Sequence, residues 1–186
     1  MDRRMRFLNS IVAAIVAIVM NSMPSAAQSP TLDELYAELA DPVLESWEQV
    51  EQKIWSEWSK SGSPAMDLLL DRGRKAMEEG DWTNAIEHLT ALTDHAPDFA
   101  EGWNARATAY YQAGKYGPSL SDIRKTLALN PRHFGAISGL ALILEELGFP
   151  KDALKAYREV LAIHPHRPNL KETIERLEKE VGGTAL

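Results

Sequence analysis

His164 and His166 flank Pro165 and form the closest pair among the five histidines of this chain. Two imidazoles supply half of a metal site, and an ion needs at least one further protein ligand to be held. None stands near them in sequence. The carboxylate pairs are Glu78 with Glu79 and Glu145 with Glu146. Paired acids can do general acid–base work, one donating a proton while the other accepts it. Both pairs fall at the solvated end of a helical segment, where a charged face is the ordinary explanation. The absence of cysteine removes disulfides, thiolate nucleophiles and cysteine-based zinc sites together. No strand leads into a glycine-rich loop, so no phosphate cradle is indicated. Trp47, Trp55 and Trp58 lie within twelve residues and could stack on a sugar. Trp47, Ile54 and Trp58 nevertheless share one helical stripe, which is first of all a packing surface. Trp55 lies beside the stripe and is the more exposed of the set. No catalytic residue, metal or cofactor is assigned; enzyme activity is unsupported rather than excluded, and the leading readings are those of a binding surface.

The elements that would build such a surface are marked by two residue types in phase. Gly80, Gly114 and Gly148 recur every 34 residues, as do Pro97, Pro131 and Pro165. Units starting at Met66, Ala100 and Phe134 align throughout. The fourth position is Leu69, Trp103, Ile137 and the eleventh is Ala76, Tyr110, Leu144. The eighth position is Gly73, Ala107, Ala141 and the twentieth is Ala85, Ser119, Ala153, all small. Small residues let two helices approach closely, and large ones fill the space around the contact. Glycine suits the left-handed residue that ends the first helix. Proline closes the second helix because it cannot donate to the ladder.

This pattern resembles the tetratricopeptide repeat family, whose period is 34 residues and whose unit is a helix–turn–helix. The resemblance implies an all-α fold: a right-handed α-solenoid of three repeats, 66–99, 100–133 and 134–167. The seventh position departs from the family's leucine, being Arg72 and Arg106 in the first two repeats. The twenty-seventh departs from its alanine, being Leu92, Thr126 and Val160.

Residues 1–27 read as a secretory signal peptide. Arg3, Arg4 and Arg6 precede an apolar run from Ile11 to Met20, and Ser25, Ala26 and Ala27 form a small-x-small cleavage site. The run is shorter than the ~20 apolar residues that span a bilayer. Cleavage is expected after Ala27, with an uncleaved anchor as the alternative, and the product is expected to be soluble and periplasmic. Losing three arginines and Asp2 moves the formal net charge from −7 to −9. Such an acidic chain argues against nucleic acid and anionic lipid as partners. Residues 28–65 predict an N-terminal helical hairpin that seals the first repeat, opened by a capping box from Thr31 to Glu34. Residues 168–186 predict a C-terminal capping helix and tail, with Leu170, Ile174, Leu177 and Val181 on one stripe.

In the family the first helix of each repeat lines a concave groove. The resemblance places Arg74, Asn104, Thr108, Tyr111 and Leu142 there as binding residues, with Leu70, Glu101 and Gly135 at other groove positions. The lysines of the chaperone-docking carboxylate clamp are absent: the fifth positions are Leu70, Asn104 and Ser138. The leading expectation is an adaptor that binds a protein or peptide segment in its groove. A cell-envelope scaffold that contacts partners, or copies of itself, through its convex or terminal helices is the alternative. An enzyme or sugar-binding module built on the tryptophans is the weakest.

Overall fold

The computed structural model describes residues 29–183, so the expected signal peptide lies outside the described residues. Within them the chain forms nine helices and no strand. An N-terminal pair, α1 (Leu32–Leu39) and α2 (Trp47–Trp58), precedes three hairpins. These are α3 (Pro64–Glu78) with α4 (Trp82–His95), α5 (Ala100–Gln112) with α6 (Tyr116–Leu129), and α7 (Phe134–Glu146) with α8 (Pro150–Ile163). Helix α9 (Leu170–Gly183) closes the array. The first helices of successive hairpins pack on one another, α3 on α5 and α5 on α7, which puts them on the inner side of the stack.

Local chemistry sets these boundaries. Gly80, Gly114 and Gly148 have φ of 75°, 71° and 78°, the left-handed turn between the two helices of each hairpin. Thr31 and Glu34 form the reciprocal capping box at α1. The last helix begins at Leu170 rather than at Pro168, because Asn169 takes a φ of 59° just before it. Close approach at the small positions is tight. A Cβ on Gly73 would lie 2.5 Å from Cγ of Leu89. Ser119 adds a bond, its hydroxyl donating to the Ala107 carbonyl at 2.8 Å, so the eighth and twentieth positions of the second repeat are joined directly. The unusual seventh-position Arg106 has its own partners. It makes two bonds to Asp122, at 2.7 and 3.0 Å, donates to Thr90 and Thr93, and lies over the Trp103 ring.

The hairpin of α1 and α2 does not seal the first repeat. Its apolar face joins Phe134 and Ile137 of the third repeat, the α8 residues and α9 in one core cluster, while the first repeat's core holds none of its residues. Helix α2 runs as a strap past the junctions between repeats. Near its C-terminal end Ser59 accepts two bonds from Arg74, both at 3.1 Å. In its last turn Trp58 stacks on His133 at 4.0 Å, and Trp55 meets Phe134 edge-on. At its N-terminal end Trp47 lies parallel to His166 at 5.9 Å and against His164 at 5.4 Å. The apolar stripe is therefore packing surface, but it packs on aromatic loops near the far end of the array. The segments that follow the second helices of the second and third repeats offer the rings of His133, Phe134, His164 and His166, and the tryptophans pack on them.

His164 reports on this interface. It is fully buried, and neither ring nitrogen is hydrogen-bonded; Glu51 is nearest at 3.5 Å. Burial pushes its pKa below the ordinary histidine value, Arg167 and His166 act in the same direction, and Glu51 opposes them. The unfolded chain binds a proton near pH 6.5, while the folded chain resists doing so. Stability should thus be full above about pH 6.5 and fall as pH drops below it, ahead of the carboxylate range. Melts from about pH 7.5 to about pH 5 should show this decline, and His164→Phe should flatten it. An unchanged slope in that variant would remove His164 as the cause.

Candidate functional site

The inner face divides into a closed half and an open half. At the closed half, Glu101 is 3 % exposed although it stands at a groove position. Its Oε1 accepts from Arg74 at 2.6 Å, and its Oε2 accepts from the Asn104 amide at 3.2 Å and lies 2.9 Å from His133 Nε2. His133 Nδ1 accepts the Ala136 backbone N–H at 3.1 Å, which caps α7. That bond leaves the ring proton on Nε2, so His133 donates to Glu101. Arg74, Ser59, Glu101, Asn104 and His133 therefore form one continuous polar network beneath the strap. Trp55 closes the same half from above: a Cβ on Gly135 would lie 2.8 Å from its ring. Leu70, another expected groove position, is instead 1 % exposed within the core of the first repeat.

The open half runs along α5 and α7 from Asn104 and Gly135, where it borders the closed half, toward Gln112 and Ile143. A cavity of about 210 Å³ sits there, lined among others by Asn104, Thr108, Tyr111 and Leu142. Four of the five expected binding residues thus share one hollow, and Arg74 lies outside it in the network under the strap. Asn104 forms the inner wall, with its amide committed to Glu101. The exposed Thr108 donates back to the Asn104 carbonyl at 3.0 Å. Leu142 is exposed at the rim. Tyr111 lies beside Tyr116, ring centroids 5.7 Å apart, and its hydroxyl donates to Glu146 at 2.6 Å. The bond to Glu146 pushes the Tyr111 pKa up to about 12, and the two tyrosine hydroxyls hold the Glu146 carboxyl below its usual range. Glu146 is therefore a carboxylate at neutral pH.

Sequence reasoning missed the roles of Glu101 and His133. The available signals were an acid opposite an arginine on the neighbouring first helix, and a histidine in a helix-capping position. The pair His164 and His166 is divided by environment, His164 sealed in the core while His166 contacts the Asp41 carbonyl at 2.7 Å.

Residues 70–118 and 105–168 match the tetratricopeptide repeat family. The chain belongs to that family. A TPR repeat-containing protein of Rhizobium etli is 36% identical over 169 residues, covering 89% of this chain and 82% of the relative. The small glutamine-rich tetratricopeptide repeat-containing protein 2 of Saccharomyces cerevisiae is 29% identical over 72% of this chain, which spans 39% of that longer protein. Among solved structures, the first TPR of Spaghetti bound to an HSP90 peptide superposes with a TM-score of 0.61 at 24% identity, over 64% of this chain and 95% of that one. MamA superposes with a TM-score of 0.59 at 19% identity, over 80% of this chain and 81% of that one. The TPR array here shares the fold of both. No helix of the described residues is long and apolar enough to cross a membrane.

Proposed function

We propose that this TPR protein is an adaptor that binds a protein or peptide segment in the open half of its groove. The hollow between α5 and α7, lined by Asn104, Thr108, Tyr111 and Leu142, is the observation that carries the reading. It combines an apolar floor, a fixed aromatic wall and hydrogen-bonding groups at the rim, the mixture that marks binding centres. The similarity to a TPR domain bound to a peptide supports it. Arg74 serves the closed half, bracketing the strap against Glu101. The basic start, apolar run and small-x-small site of residues 1–27 support export to a periplasm as a soluble chain, with cleavage after Ala27. The role is binding rather than catalysis: the buried acid and histidine are spent on one another.

Tyr111→Ala should weaken partner capture at least tenfold, about 1.4 kcal/mol, with helicity unchanged. Tyr110→Ala is the control and should lower stability instead. Capture from an extract of the source cells by the Tyr111→Ala chain at wild-type strength would move the contact to the convex or terminal helices, the scaffold reading.

A further inference from the structure

The occupant of the hollow can be specified further, on the footing of the groove reading above. We infer that the cavity takes one large apolar side chain of a peptide partner, and that the adjoining residue of that peptide is lysine or arginine.

Size comes first. At about 210 Å³ the hollow is smaller than the ~300–1,000 Å³ of pockets that enclose a whole ligand. It suits a single side chain. The hollow exists because the facing positions are small: Gly139 on α7 stands opposite Ala107 on α5, with Ile123 of α6 and Ile143 behind them. No lining residue is charged. A carboxylate or phosphate placed here would meet no cation to replace its water. Arg74 lies in the closed half and is tied to Glu101 and Ser59.

Charge comes from the mouth. Tyr111 lines the hollow and holds Glu146 at its edge, and Tyr116 completes a two-ring platform there. Glu146 is ionised, and its bonds among the described residues are to tyrosine hydroxyls, with no cationic side chain paired to it. Its neighbour Glu145 already has one, Arg176 at 2.5 Å. An ammonium or guanidinium next to the buried side chain would reach both a carboxylate and a tyrosine face, a charge pair reinforced by the ring quadrupole. The chain as a whole is acidic, with a formal net charge of −7, which attracts basic segments from a distance.

The test is selection of a random dodecapeptide display library on the full-length chain, followed by affinities of the selected peptides for three variants. Gly139→Leu fills the hollow from within. An added Cβ at Gly139 makes only ordinary contact, its nearest neighbour being Cδ1 of Ile123 at 3.6 Å, and leucine is the better helix former, so this variant should fold, which its melting curve checks. The inference predicts peptides enriched in a large apolar residue beside lysine or arginine, bound at least tenfold more weakly by Gly139→Leu and by Glu146→Lys. Binding should weaken with added salt, and selection on Glu146→Lys should return acidic neighbours. Peptides with acidic or uncharged neighbours, or equal binding to Glu146→Lys, would overturn the inference. The groove reading would survive that result if Tyr111→Ala still weakened them. Peptides indifferent to both Tyr111→Ala and Gly139→Leu, or no selected peptide at all, would overturn both.

Discussion

Replacing Trp58 with alanine is expected to lower the unfolding free energy by about 3–5 kcal/mol, the range for emptying a large aromatic site. Trp58 is 7 % exposed and is the hub of the strap. Its ring stacks on His133, meets Trp55 and Phe134, and its Nε1–H donates to the Tyr36 hydroxyl at 3.2 Å. Removing it opens a cavity between α1, α2 and the start of α7, and takes away the indole donor to the Tyr36 hydroxyl. It also uncovers the His133–Glu101 bond to water. Domains of this kind are stable by only ~5–15 kcal/mol, so the change is large against the total. Urea unfolding would measure it, and limited proteolysis should show early cutting in the segment from Ser59 to Ser63 that joins strap to solenoid. A midpoint near wild type would mean that α1 and α2 are only loosely laid on the array.

Glu101→Ala is expected to cost about 3 kcal/mol, the lower end for breaking a buried ion pair by deleting one partner. The lower end applies because Arg74 keeps a third of its side chain exposed and can recover water. His133 Nε2–H and the Asn104 amide cannot recover it so easily, and a buried orphaned donor costs ~1–3 kcal/mol. Glu101→Gln keeps an acceptor and the side-chain volume, so it should regain more than half of the loss. Coupling between Glu101→Ala and His133→Phe in a double-mutant cycle would identify the bond itself as the source. Additive effects would place the cost elsewhere.

The array was legible in the sequence because its constraints are local. A left-handed φ calls for glycine, and a missing N–H ends a helix, so Gly80, Gly114, Gly148 and the three prolines gave the period without any tertiary information. The place of the N-terminal hairpin was not legible. Helical spacing of Trp47, Ile54 and Trp58 says that one face packs, and says nothing about what it packs against. The partner surface is made by His133, Phe134 and His164, which lie far along the chain and meet only after the repeats stack. Gly135 held the best clue, since a groove position without a side chain leaves room for a ring from another element, and Trp55 takes it. The division of the groove follows from that. Thr108, Tyr111 and Leu142 were grouped by repeat position and do share a hollow. Arg74 was grouped with them by the same rule, but its guanidinium reaches an acid that the rule did not weigh.

The most direct test of groove binding is a site-specific crosslink. A photoreactive benzophenone residue placed at Leu142, on the rim of the hollow, is compared with one placed at the exposed Glu87 on the outer helix α4. After irradiation with an extract of the source cells, a discrete adduct from position 142, lost in Tyr111→Ala, and none from position 87 is the predicted result. An adduct from position 87 with none from position 142 would contradict it and show that partners meet the convex face.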